Sequence, residues 1–232
     1  MLKYIGSETF ISLNADGIST YFHYTFIENL DLSGNQKGTA ISIINGVRQF
    51  IIREVDVYNF NNGITTNGVG EIYLRTCFVH LCKYSFLLNN ISDSWLTECH
   101  GGSGITSNVP LIYGEGYGFY INNGYNITLD RCRGQVQKQG TGMAFTNLDL
   151  LLITNCIFDA SEKNGCVINK CKFVNIIGCD FRNNGKLIGA DAFNGTGLIL
   201  QDCNNAIITN NIFRNQEEYN QTLFSAHPQA FS

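Results

Sequence analysis

Apolar and polar residues alternate along this chain in short runs, and the runs recur. GITTN (63–67), SFLLN (85–89), GFYIN (118–122), GCVIN (165–169) and GLILQ (197–201) keep a period of two and commonly start after glycine. That period predicts strands buried on one face and leaves no role for an amphipathic helix. Downstream of each run stands an aliphatic anchor: Ile52, Leu74, Leu96, Leu129, Ile153, Ile176 and Ile208. Three places after the anchors come Val55, Cys77, Cys99, Cys132, Cys156, Cys179 and Asn211, and five places after come Val57, Val79, Gly101, Gly134, Phe158, Phe181 and Phe213. Two places before them stand Phe50, Ile72, Ser94, Ile127, Leu151, Val174 and Ala206.

The anchors are 22, 22, 33, 24, 23 and 32 residues apart, so a unit of two dozen residues repeats and two intervals carry an insertion. A unit of that size cannot bury its own faces. Stacking the units does, and the prediction is an all-β fold, a single-stranded parallel β-helix of about eight coils rising about 4.8 Å per coil. Seven places before the anchors stand Asn45, Asn67, Asn89, Asn122, Thr146, Asn169 and Gln201. An amide both donates and accepts, so this series predicts a hydrogen-bonded ladder at one turn of every coil. Cys77, Cys99, Cys132, Cys156 and Cys179 predict a second ladder, of small apolar side chains filling a narrow interior. Cys171 and Cys203 share another inward position, five before the anchor.

Composition narrows the function. The 232 residues carry 15 basic and 19 acidic side chains, a net charge of −4, which leaves phosphate-backbone binding without its electrostatic drive and excludes nucleic acid as a partner. No apolar run reaches membrane-spanning length, and the start MLKYIGSETF lacks the plan of a signal peptide, so neither membrane insertion nor Sec export is expected. Nine Cys without an export signal point to reduced thiols made in a cytoplasm. One thiol per coil is not a CxxC metal spacing, and HExxH, GxSxG and P-loop patterns are absent from the sequence, so no metal or cofactor is called for. Two Pro and no linker-like segment read as one domain over 1–232, with coils over roughly 4–215 and residues 216–232 as a tail or cap.

The anchored strands, the Asn ladder and the recurring Cys segments resemble the right-handed parallel β-helices of the pectate-lyase-like superfamily. The segment IGSETFISLNADG…FIENLDLSGN (5–35) resembles the first coils of bacteriophage tailspike domains that degrade capsular polysaccharide. The resemblance implies a homotrimer on a virion tail, acting outside the cell after release, with a bacterial surface polysaccharide as partner. Hydrolases, lyases, epimerases and noncatalytic binders share this scaffold, so the chemistry must come from the site.

Two long loops, 102–117 and 183–196, leave the same corner of coils three apart, and the first offers Tyr113, Glu115 and Tyr117 for contact with sugar. Glycosidic hydrolysis needs two carboxyls about 5–9.5 Å apart, and adjacent coils supply the short end of that range. Glu71 and Asp93 occupy equivalent turn positions in neighbouring coils. Glu98 and His100 flank inward Cys99 and should face Arg131 and Arg133 of the next coil, beside Asp130. Such a patch reads as an ion pair, as a hydrolytic pair Glu98 and Asp130, or as a lyase or epimerase centre in which Arg131, Arg133 and His100 handle a uronic acid. Glu54, Asp56, Asp180 and Arg182 read as solvated charges, and His23, His80 and His227 as isolated. The expected function is binding, with hydrolysis, of a capsular or exopolysaccharide; the alternatives are a noncatalytic receptor-binding β-helix and a uronic-acid lyase or epimerase.

Overall fold

The computed structural model describes residues 2–3, 8–14, 25–102, 116–135, 140–185, 196–214 and 224–226. It is a parallel β-helix. All seven anchors stack in one ladder: Ile52 pairs with Leu74, Leu74 with Leu96, Leu96 with Leu129, and the series continues through Ile153 and Ile176 to Ile208. Ile27 precedes them, paired with Ile52, and extends the ladder by one coil that the repeat alone does not reveal. Every described pairing between strands is parallel, as expected when each strand meets its equivalent one coil away.

Left-handed corners bend the chain around each coil. Two places after the anchors, Asn29, Glu54, Thr76, Glu98, Arg131, Asn155, Gly178 and Asn210 all have φ between 51° and 67°. This conformation costs an L-residue about 1–2 kcal/mol, least for Asn and Asp, and the ladder bonds on either side offset it. Asn155 therefore interrupts an apolar run because the backbone turns there. Its own N–H still donates to Ile177 O at 3.0 Å, which keeps the corner inside the ladder.

The interior is a stack of like side chains. Phe158 lies on Phe181 with centroids 4.4 Å apart and planes 1° from parallel, and Phe181 lies on Phe213 at 4.7 Å. Phe86 and Phe119 repeat the arrangement on another side of the coil at 4.4 Å. The nine cysteines are all free and buried. Their thiols donate inward to main-chain oxygens, Cys132 to Leu96 O at 3.3 Å and Cys156 to Thr154 O at 3.3 Å, so a weak donor is satisfied without leaving the core. Burial pushes Cys82 up to about 12 and drives Cys99 and Cys156 upward too, with neighbouring thiols adding to the effect. These side chains are neutral packing material.

The amide ladder forms with a different geometry from the one its spacing suggests. Asn122 donates to Asn89 at 3.5 Å, but Asn67 accepts from Asn90, at 2.6 Å, and Asn147 donates to both Asn122 and Asn123. Two adjacent columns thus interlock in a zigzag. The second column, Asn90, Asn123 and Asn147, occupies left-handed corners at the surface, so the ladder faces solvent. In the tail, Phe224–Ala226 pairs with Leu198–Leu200 and continues the stack.

Candidate functional site

The carboxylates nearest the Cys ladder are engaged in ion pairs. The Arg131 guanidinium bridges Glu98, at 3.0 Å, and Asp130, at 3.0 Å, while Thr76 donates to the other Glu98 oxygen at 3.4 Å. Asp130 also accepts from Thr154 at 2.9 Å and Asn155 at 3.2 Å. Partial burial pulls the Asp130 carboxyl upward, but the bonds from Asn155, Thr154 and Arg131, with the Arg131 charge, outweigh it and hold the group below its ordinary value. A carboxylate so held is a poor general acid.

His100 does face Arg133 across the stack. The Arg133 guanidinium, however, points away to Asp159, 2.6 Å distant, which also receives Arg182 at 3.4 Å and Asn183 at 3.2 Å. Arg182 further bridges to Asp180, which also pairs with Arg214. Asp180 and Arg182, expected to be solvated, are therefore members of a half-buried ladder of alternating charge. Burial, followed by the charges of Arg133 and His80, keeps His100 below its ordinary pKa. Both arginines proposed to neutralise a substrate acid already neutralise this chain's own carboxylates.

Glu71 and Asp93 lie at successive corners with φ of 55° and 46°, bracketed by the paired residues Gly70 with Ser92 and Tyr73 with Trp95. Asn126, at the same corner one coil on, donates to Asp93 at 2.8 Å. Two residues along the strand, the outward rings of Tyr73 and Trp95 stack 5.1 Å apart and 8° from parallel. Phe26, 51% exposed, and Ile51 continue that column. On the other side of the corner an open cavity of about 320 Å³ lies over Gly70, between Arg48 and Ser92. Carboxylates, aromatic rings and a cavity thus meet on one outer face of adjacent coils. The aromatic column was legible as outward alternation one place before the anchors, but it bears no Asn or Cys signature.

Gly102 pairs with Gln135, which pairs with Asp159 and then Arg182 in turn, so both long loops do leave one corner, three coils apart. Tyr113 and Glu115 lie outside the described residues. Tyr117 opens the strand Tyr117–Asp130, where its ring stacks on Tyr84 at 5.8 Å and packs against Tyr120 at 5.2 Å. One face of Tyr117 is thereby covered by protein.

A further titratable cluster lies at the outward positions of the neighbouring face. Asp31 pairs in register with Asp56, and Tyr58 with His80. His80 is not isolated: its ring stacks on Tyr58 at 5.8 Å and lies 6.3 Å from Phe78, whose edge meets His100 at 4.6 Å. Burial and the Asp31 charge raise the Asp56 carboxyl, partly opposed by His80. Burial lowers His80, partly opposed by Asp56. Asp31 belongs to the coil anchored by Ile27, so a repeat traced from Ile52 onward cannot find this pairing. His23 and His227 lie outside the described residues.

A family model described as the right-handed β-helix region matches residues 99–227, more than half of the chain, and the protein belongs to that family. No curated protein matches the sequence. Among solved structures, ORF18 of Geobacillus virus E2 is 12% identical, with 87% of this chain and 52% of that one covered at a TM-score of 0.36. The catalytic domain of a GH87 α-1,3-glucanase in complex with nigerose is 10% identical, covering 98% and 51% at 0.39. Tailspike protein 3 of bacteriophage CBA120 is 10% identical, covering 98% and 52% at 0.34. The chain spans about half the length of these three. Among the described residues, no helix is long and apolar enough to cross a membrane.

Proposed function

We propose that the outer face carrying Tyr73, Trp95, Glu71 and Asp93 binds a bacterial surface polysaccharide, as the lateral receptor site of a spike carried on a virion tail. The Tyr73–Trp95 stack carries this reading, because it presents an apolar strip beside hydrogen-bonding corners, the surface a sugar polymer with one apolar and one hydroxylated side requires. Successive coils repeat those side chains along the stack axis, and a repeating polymer can engage them in parallel. The resemblance to tailspikes supports a homotrimer working outside the cell, with Tyr113 and Glu115 as further sugar contacts.

The test is retention of the protein on a panel of purified capsular polysaccharides. Trp95→Ala should weaken retention on the cognate polymer about 10- to 100-fold. Undiminished retention in Trp95→Ala and Tyr73→Ala alike would remove the site.

Cleavage is the second reading, and Glu71 and Asp93 favour it over Glu98 and Asp130. They stack on successive coils, at about the separation used by retaining hydrolases, without an arginine bridge of the kind that clamps Glu98 to Asp130. Release of reducing ends that disappears in Glu71→Gln and Asp93→Asn, with binding kept, supports hydrolysis. An unsaturated product instead identifies a lyase, and binding without products a receptor module.

A further inference from the structure

The corner that follows the Asn ladder is left-handed in every coil from Gly46 to Asp202, with φ of 78° at Gly46, 70° at Gly68, 52° at Asn90, 55° at Asn123 and Asn147, 54° at Lys170 and 52° at Asp202. The backbone therefore does not require glycine there, since Asn, Lys and Asp adopt the same turn. Two successive coils nevertheless use Gly46 and Gly68. A Cβ added at Gly46 would meet nothing within 4 Å, and one at Gly68 only main-chain atoms of Asn45, at 3.8 Å and beyond. Two places on, the outward column reads Arg48, Gly70, Ser92 and Tyr125, and Gly70 lacks the positive φ that would favour glycine. A Cβ there would lie 3.1 Å from Ser92 Oγ and 3.9 Å from Arg48 Cγ, inside the space these side chains border. Three missing side chains on two coils thus open the cavity of about 320 Å³.

Its lining has a definite chemistry. Arg48 is the single charged residue among those that line it, and Asn90 and Ser92 supply neutral hydrogen-bonding groups from the next coil. The Asn90 amide is oriented by its 2.6 Å bond to Asn67. Tyr125, 54% exposed and paired with Ser92, stands at the far end. The carboxylates of Glu71 and Asp93 are next along the chain but do not line the space.

We infer that this glycine-floored cavity is a subsite for a single acidic sugar residue, whose carboxylate meets the Arg48 guanidinium while its ring hydroxyls meet Ser92 and Asn90. A guanidinium matches a carboxylate with two parallel donors, and hydroxyl and amide groups match a sugar's neutral edge. This deepens the polysaccharide reading and rests on it, by specifying a polymer that carries acidic residues.

The experiment is a titration of the isotope-labelled protein with D-glucuronate, D-glucose and acetate, read by the backbone amide signals of Gly46, Gly68 and Gly70. Glucuronate should shift these three signals with a dissociation constant of about 1 mM, the range for one monosaccharide. Glucose should bind at least tenfold more weakly, and so should acetate. Arg48→Gln should lose the glucuronate response tenfold or more, and Arg48→Lys should keep part of it. An equal response to glucose, an equal response to acetate, an unchanged response in Arg48→Gln, or no shift at these amides each overturns the subsite. Polymer retention reads Trp95 and the monosaccharide titration reads Arg48, so failure of the subsite is distinguishable from failure of the wider polysaccharide reading.

Discussion

Glu98 Oε1 and Arg131 Nη1 lie 3.0 Å apart on adjacent coils, with Asp130 on the other side of the same guanidinium. The side chains are 39% and 56% exposed, so the pair sits in a high-dielectric setting and contributes little. Arg131→Ala should change stability by less than about 1 kcal/mol in urea unfolding and leave polymer retention intact. Because Asp130 is held below its ordinary 3.8, its stabilisation is present above that pH and fades as the pH falls through the lower folded value. Asp130→Asn should flatten the acid limb of the stability profile.

The Asp159 carboxylate is a different case, with 12% exposure and bonds from Arg133, Asn183 and Arg182. Asp159→Ala strands two guanidinium groups and should cost about 2–3 kcal/mol. A loss under 1 kcal/mol in urea unfolding would contradict the ladder.

Phe181, sandwiched between Phe158 and Phe213, should be among the most sensitive core positions. Phe181→Ala should destabilise by about 3–5 kcal/mol, and Phe181→Leu by much less, because Leu refills most of the volume. Chemical denaturation of both variants measures the difference.

The thiols bear on alkaline stability. Cys82 titrates at about 12 when folded against 9.0 for its ordinary value, so the unfolded chain loses that proton first. The sign follows: stability is full below pH 9 and falls as the pH rises towards 12, by up to about 4 kcal/mol from this group. Cys82→Ala should flatten the alkaline limb of the urea midpoint plotted against pH. Iodoacetamide at neutral pH should leave the nine buried cysteines unlabelled until urea is added, as intact mass reports.

His80 offers a local check on the neglected face. Its imidazole should titrate below 6.5 by NMR, and Asp56→Asn should lower it further, since the Asp56 charge is what opposes the effect of burial.

The stack was legible because burial of one narrow core forces each coil to repeat its inward residues: Leu129 over Leu96 and Phe181 over Phe158 leave a period in the sequence that survives two insertions. Outward positions carry no such constraint. Tyr73 and Trp95 stack only because coils are in register, and nothing at that column repeats beyond them to announce it. Glu98 and Arg131 were placed face to face by the same register, but the bond from Asn155 to Asp130 depends on a left-handed corner that no residue type dictates, since Thr76 and Arg131 adopt it as well. Asp31 was missed because the Ile27 coil lacks a Cys at the ladder position, where Leu30 stands instead.

The most direct test of the binding face is hydroxyl-radical footprinting of the protein with and without its cognate capsular polysaccharide, read by peptide mass spectrometry. Trp95 and Tyr73 should lose most of their oxidation when the polymer is bound, while Tyr58 and His80, on the neighbouring face, keep theirs. Protection of Tyr58 and His80 with Trp95 still oxidised would put the polymer on the other face and contradict the account.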